Sequence, residues 1–380
     1  MRSFLSVALA TMLWVSTLSY WFERSPEALA APLARQQLAL WDPANEPMLA
    51  AKLGQLRQSN PEWDLMARMF AALAFANLAL SQPQGRAEYV AAIDRIIERT
   101  LRDVERGGTH EFLLPYGRAR PFLDDAQTSI FIEGELALML AVRQLVEPDP
   151  HGAEVAREWV GRAIDHLERS PVLLAESYPD EVWIFCNTVA LAAIRIFDVV
   201  EDAPERHAEL LARWVASARS RIVDPATGLL GSKTTRDGVV LEGPEGSTLW
   251  IAATMLRVID DDFAREQYHA ARAHLRGSLA GFGWAREWPD SWQGADDVDS
   301  GPTIPIVGAN AGSSGLALVA ARAFHDESFT QELIVSLNFA GFPVDDGARF
   351  AAGNPLADSA ILFALTSGPL WTRVGVGGAR

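Results

Sequence analysis

Cys186, the one cysteine in 380 residues, lies in a stretch dense in groups able to move protons: Ser177–Tyr178–Pro179–Asp180–Glu181–Val182–Trp183–Ile184–Phe185–Cys186–Asn187–Thr188. Asp180 or Glu181 could donate or accept a proton. A thiol near a helix N-terminus has its pKa lowered by the helix dipole. The same residues also fit a simpler role, with Ser177 and Asp180 as helix caps and a lone cysteine as apolar packing. A second cluster, Gln293–Gly294–Ala295–Asp296–Asp297–Val298–Asp299–Ser300–Gly301–Pro302, sets three acids beside glycines. Such acids act as paired carboxylates or ligate a hard cation, although the spacing does not match the twelve-residue calcium loop. Otherwise it is a solvated turn. Glu133 and Glu135 interrupt an apolar stretch, where a buried acid must be paired or protonated; a protonated one is a natural general acid. Arg118 and Arg120, just upstream, are candidate partners for them.

Two further segments qualify. In Asn60–Pro61–Glu62–Trp63–Asp64, the acids read most simply as first-turn residues matched to the helix dipole. In Trp284–Ala285–Arg286–Glu287–Trp288–Pro289–Asp290–Ser291–Trp292, three tryptophans surround an Arg–Glu pair and offer flat walls for a sugar ring or a hydrocarbon. The candidate catalytic set is Cys186, Glu135, Asp180, Glu181 and Asp299. The candidate substrate contacts are Tyr116, Ser177, Tyr178, Trp183, Asn187, Arg286, Glu287, Trp288 and Asp297. There is no Gly-rich phosphate loop, no G-x-S-x-G elbow, no HExxH and no histidine cluster, so neither cofactor nor metal is expected.

Residues so far apart need a scaffold that gathers them. Beyond Trp41 the dominant period is helical, predicting helices at 46–58, 61–82, 86–106, 126–146, 151–169, 181–199, 204–222, 245–259, 261–279, 310–325, 327–339 and 356–373. Asn60, Pro61 and Glu62 supply a cap, a first-turn proline and an acid, and Gly107–Gly108 a stop. Gly228–Gly231 and Gly238–Leu241 predict a short hairpin. Helices apolar nearly all round, such as 61–82, 126–146 and 181–199, alternate with amphipathic ones. The expected fold is all-α, an (α/α)6 toroid with a short β-hairpin over 40–375, preceded by an N-terminal hydrophobic helix. An open solenoid is the other candidate, but no fixed repeat period supports it. In a toroid the loops before the inner helices converge on a pocket, and most of the candidates lie in or next to such loops.

Composition narrows the partners. The chain is 49% hydrophobic and carries a net charge of −16, which excludes disorder and disfavours nucleic acid or anionic lipid as the main partner. A small-molecule substrate is expected, and a homo-oligomer is possible. Residues 3–22 carry no charge and are close to the ~20 needed to span hydrocarbon. They read as a signal anchor or a cleaved signal peptide within 1–24, with a small-x-small pattern at Ala28–Leu29–Ala30 and interfacial aromatics at Tyr20–Trp21–Phe22. A buried first helix is the remaining reading. Either export reading puts the toroid outside the cytoplasm, touching the membrane only through this segment.

The run Phe185–Cys186–Asn187–Thr188–Val189–Ala190, the following helix and the turn Val223–Asp224–Pro225–Ala226–Thr227–Gly228 resemble the corresponding stretch of the linalool dehydratase/isomerase family. Asp296, Asp297, Asp299 and the Arg286–Glu287 pair are also similar. The likeness spans about residues 60–340 and is strongest over 177–230. It implies an exported α/α barrel that adds or removes water at an allylic terpenoid alcohol without a cofactor. It puts Cys186 on one of the family's two active-site cysteines. Ser177 stands at the other, and Glu135 at the active-site histidine. Serine cannot take over a thiol's acid–base duty near neutral pH. The leading expectation is therefore a cofactor-free lyase or isomerase for a small, mostly apolar alcohol. A sugar-directed glycosidase or epimerase and a non-catalytic, membrane-tethered binding protein are the alternatives.

Overall fold

The computed structural model describes residues 2–294 and 300–375. Fifteen helices are formed among them: α1 (Arg2–Thr17), α2 (Pro26–Leu40), α3 (Glu46–Ser59), α4 (Pro61–Ser81), α5 (Arg86–Gly107), α6 (Ile130–Val146), α7 (Pro150–Glu168), α8 (Ile184–Val200), α9 (Ala208–Arg221), α10 (Gly246–Leu256), α11 (Asp261–Leu275), α12 (Ala311–Ala323), α13 (Glu327–Ala340), α14 (Pro355–Thr366) and α15 (Pro369–Val374). Helices α4, α6, α8, α10, α12 and α14 each pack on the next, and α14 returns to α4. This is a closed (α/α)6 toroid, and the open solenoid is excluded. The inner helices are apolar all round because both their faces are covered; in α6 only Arg143 escapes full burial. Helices α5, α7, α9, α11 and α13 alternate with them along the chain. At the sixth outer position, α2 packs on α14 and α3 on α4.

Side-chain caps start many of these helices. Asn60, Asp149, Asp260, Asn310, Asp326 and Asn354 each accept a hydrogen bond from a first-turn backbone N–H, a contribution of about 1 kcal/mol apiece. The links leading into the inner helices gather at one end of the ring and pair there. Strand β1 (Val182–Trp183) pairs with β2 (Lys233–Thr234), which pairs with β3 (Val240–Glu242). Strands β4 (Arg276–Leu279), β5 (Phe282–Ala285), β6 (Thr303–Ile304) and β7 (Ala309–Asn310) form a sheet in the order β4-β5-β7-β6. Strands β8 (Pro343–Val344) and β9 (Arg349–Phe350) close a hairpin before α14.

Several boundaries differ from the sequence expectation. The hairpin expected from 228–231 and 238–241 forms instead from β2 and β3, because Leu230 bridges back to Val223. The helix expected over 261–279 stops at Leu275, and Arg276–Leu279 pairs as β4 with β5. The helix expected over 356–373 breaks at Gly368, whose φ of 135° no other residue adopts readily. The starts expected at 126 and 181 lie at Ile130 and Ile184, since the preceding residues bond across to other links. Helix α2 was not expected at all. It places Ala28–Leu29–Ala30 inside a helix whose Leu29 and Leu33 are buried. Helix α1 is present as an apolar helix whose large side chains are exposed.

Candidate functional site

The link before α8 is shaped around a buried carboxylate. Glu176 Oε1 accepts from Leu123 N (3.1 Å) and Asp180 N (2.6 Å), and its Oε2 accepts from Asp124 N (2.7 Å). This joins the link before α8 to the link before α6, and holds Asp180 in a turn at φ 56°. Arg236, in the link before α10, adds a 3.1 Å ion pair to Asp124. Asn187 serves the same framework: its amide donates to the Ala175 and Trp183 carbonyls and accepts from Ala175 N. Both ends of that side chain are spent on backbone, so it positions α8.

Inside this framework Ser177, Tyr178, Cys186, Glu135 and Glu62 converge. Ser177 is fully buried, accepts from Trp183 N (3.2 Å) and hydrogen-bonds the Cys186 thiol. Cys186 sits in the first turn of α8. The dipole-lowered thiol expected from sequence is not what forms. Burial pushes the thiol well above its usual range, the Ser177 bond opposes this, and the Glu62 charge pushes it further. It is a neutral thiol at neutral pH.

Glu135 is fully buried on α6, and neither of its carboxyl oxygens has a hydrogen-bonding partner among the described residues. Burial raises its pKa well above the carboxylate range, and the neighbouring Glu62 charge adds to the effect. Glu135 therefore holds its proton near neutral pH. The adjacent Gly134 allows α6 and α8 to approach: a Cβ there would lie 2.9 Å from Ala190 Cβ. Tyr178 Oη donates to Glu62 Oε1 (2.5 Å) and accepts from Leu114 N (2.8 Å). Burial and Glu62 hold the phenol proton in place. Tyr116 stacks on Tyr178 at 4.7 Å and donates to Glu181 Oε2 (3.0 Å).

A second group lies beside α10 and α12. Glu287 is buried and accepts from Ser247 Oγ (2.5 Å) and Ser247 N (3.2 Å) at the start of α10. Arg286 pairs with Asp290, and Trp288 stacks on Trp292 at 5.2 Å. Arg286 also lines a cavity of about 330 Å³ with His274 and Arg276. Trp183 is half-buried, with Lys233 Nζ 5.1 Å from its ring centroid. Asp297 and Asp299 lie outside the described residues, as does Asp296.

Two expected pairings do not form. Glu133 bonds to His166 on the outer helix α7 at 2.9 Å. Arg120 instead donates to the Pro179 carbonyl, and Arg118 is exposed on a separate cavity of about 560 Å³. Two contributors were missed. Glu62 enters the cluster through Tyr178, 116 residues away, and its first-turn position gave no hint of this. Glu176 had a visible signal: it is an acid directly following the apolar run Val172–Leu173–Leu174–Ala175.

A closed α/α toroid places the chain in a broad class of ring-shaped folds. Within that class, the family model for linalool dehydratase/isomerase matches residues 158–353, just over half of the sequence, and the chain belongs to this family. Among curated proteins none matches it in sequence. Solved structures share the fold. A GH76 alpha-mannanase from Bacteroides thetaiotaomicron aligns at a TM-score of 0.55 and 9% identity, covering 82% of this chain and 87% of that one. An alpha-1,6-mannanase from Salegentibacter sp., solved with alpha-1,6-mannotetrose, gives 0.54 and 12%, covering 91% and 99%. The unsaturated glucuronyl hydrolase of Bacillus sp. gives 0.51 and 11%, covering 83% and 97%.

Proposed function

We propose that the chain is a cofactor-free lyase or isomerase acting on a small, mostly apolar alcohol, with Glu135 as general acid. The observation that carries this reading is the fully buried Glu135 carboxyl with no hydrogen-bonding partner among the described residues, a setting that raises its pKa and favours the protonated acid. Its proton passes to the substrate hydroxyl, the C–O bond breaks with its electron pair leaving on water, and an allylic or tertiary cation remains. Loss of a proton from the neighbouring carbon then gives the alkene, and the reverse sequence hydrates it. Glu62, which accepts from Tyr178 and whose charge acts on Glu135, is the acceptor for that proton. Cys186 and Ser177 line the site as neutral groups, and Tyr116, Glu181 and Trp183 border it. Asp180, Arg286, Glu287 and Trp288 are proposed as further contacts at the same end of the ring, and Asp297 and Asp299 stay candidates on sequence alone. Family membership supports the reaction class, with Glu135 in place of the family's histidine as the proton carrier.

We also propose that α1 is retained as an anchor and that the toroid lies outside the cytoplasm. A sugar-directed enzyme remains the second reading, favoured by the stacked Trp288–Trp292 pair. One experiment separates the two. The purified chain, incubated with small allylic and tertiary alcohols, yields alkenes detected by gas chromatography, and Glu135→Gln removes that conversion. Turnover of oligosaccharides with no alcohol converted would replace the first reading by the second.

A further inference from the structure

We propose that the rim of the toroid beside α1 is a membrane-seating surface, so that the ring lies with the loop end of α13 in the lipid interface instead of hanging from a free tether. The span Ser3–Trp21 is 19 residues long, roughly 29 Å as a helix against about 30 Å of hydrocarbon. Phe4, Leu5, Leu9, Leu13 and Trp14 on it are exposed. Its far end is fixed to the ring. Phe22 packs on Phe339 at 5.1 Å and on Phe282 at 6.3 Å, and the Phe22 carbonyl accepts from Asn338 Nδ2. Ser19 is buried against the β4–β5 turn, where a Cβ on Gly281 would lie 2.6 Å from Ser19 Oγ. The chain continues directly into α2, which packs on α14, so the joint is part of the fold.

Around this joint the ring presents more apolar surface. Leu279 is 68% exposed at the hairpin turn, Phe342 is 64% exposed just after α13, and Phe339, Tyr20 and Trp21 are exposed beside them. Phe342 stands in the left-handed region at φ 52°, a conformation that is strained for a bulky residue. A phenylalanine held there facing outward fits contact with lipid better than contact with water. Once α1 spans the bilayer, Tyr20 and Trp21 fall at the headgroup level where aromatic rings collect. Leu279, Phe339 and Phe342 lie against the same joint and enter that layer with them. With a net charge of −16, the contact is apolar and suits a zwitterionic surface. The end of α13 feeds the link before α14, so the seated rim is at the ring end that carries the candidate site.

The test uses the full chain with Cys186→Ala, reconstituted in phosphatidylcholine vesicles and spin-labelled singly at Leu9→Cys, Leu279→Cys, Phe342→Cys or Gln84→Cys. Gln84 is exposed in the turn between α4 and α5, at the opposite end of the ring. Labels at 9, 279 and 342 are expected to collide more with oxygen than with a water-soluble nickel chelate, and the label at 84 the reverse. Leu279 and Phe342 are both exposed, so either one alone reads the contact should the other variant misfold. A lipid-like label at 9 with water-like labels at 279 and 342 would mean a free tether and overturn the proposal. A water-like label at 9 would overturn it by removing the span. Labels at 279 and 342 shielded from both reagents would mean that another protein chain covers the rim. None of these outcomes depends on the chemistry proposed for Glu135.

Discussion

Asp64 on α4 and Glu135 on α6 are both carboxylates with no exposed surface, on neighbouring inner helices, yet their surroundings are opposite. Asp64 is gripped by two guanidinium groups. Arg68 donates to it at 2.8 and 3.0 Å, and Arg57 donates from the other side. Those arginines are shared with Asp103, at 2.8 Å from each, and Arg57 also reaches Glu111 at 2.6 Å. Thr100 takes a further Arg68 N–H, and Phe112 lies under both cations. Burial opposes the charge on Asp103, but Arg68, Arg57 and Arg99 hold its pKa below the usual value. Glu135 has no such partner, and the nearest charge is another acid. Equal burial therefore produces a fixed ionic brace in one place and a movable proton in the other. Compensation, and not depth, separates structure from chemistry.

That contrast can be broken at Glu135 first. Glu135→Gln keeps the shape and removes the proton, so turnover of the alcohol falls by roughly two to four orders of magnitude, while the thermal midpoint holds or rises. A large loss of stability would make Glu135 structural like Asp64. At Asp64 the expectation is inverted. Asp64→Asn leaves Arg68 and Arg57 to share Asp103 and Glu111 and lowers unfolding stability by about 1–3 kcal/mol, read by urea denaturation, with catalysis per folded molecule unchanged.

A third buried acid sharpens the scale. Burial pushes Asp358 up to about 6, opposed by a bond from Phe350 N and by the charges of Lys52 and Arg349. The folded chain then keeps a proton that the unfolded chain releases near pH 4. Stability therefore declines as pH rises from about 4 to about 6, by up to about 3 kcal/mol, and Asp358→Asn flattens that slope in a pH series of melts. Besides the turnover it loses with the proton acceptor, Glu62→Gln has a smaller, spectroscopic effect. Removing that charge lowers the pKa of Glu135, seen as an earlier loss of its protonated carboxyl band in infrared titration; an unmoved band would mean that the two acids do not sense each other.

Much of the ring was legible because burial on all sides leaves a signature that a single helix carries by itself. Helices α4, α6 and α8 were identifiable from long, mostly apolar runs, and Asn60 and Pro61 marked a boundary within one residue. What stayed hidden depends on distant partners. The β4 strand followed helical residues without a strong break, and only pairing with β5 and the Trp284 indole lying over Gly277 determine it. Helix α2 was obscured by the apolar segment before it and by the internal Pro32. Within the site, Glu135 was identifiable because an acid in an apolar run must be explained. Glu62 was not, because its role rests on a tyrosine from another link. The sign of the Cys186 shift was misjudged because the dipole of one helix is local, whereas desolvation comes from the whole ring.

Closure of that ring has a consequence for how the protein is made. Asn77 Oδ1 on α4 accepts from Leu370 N at 2.9 Å, across 293 positions of sequence, and α14 is the neighbour that α4 must find. During synthesis α4 leaves the ribosome long before either partner exists, and its apolar flank stays uncovered while the rest is made. Contacts this remote form late and slowly, so the nascent chain carries an uncovered apolar edge until the circle shuts.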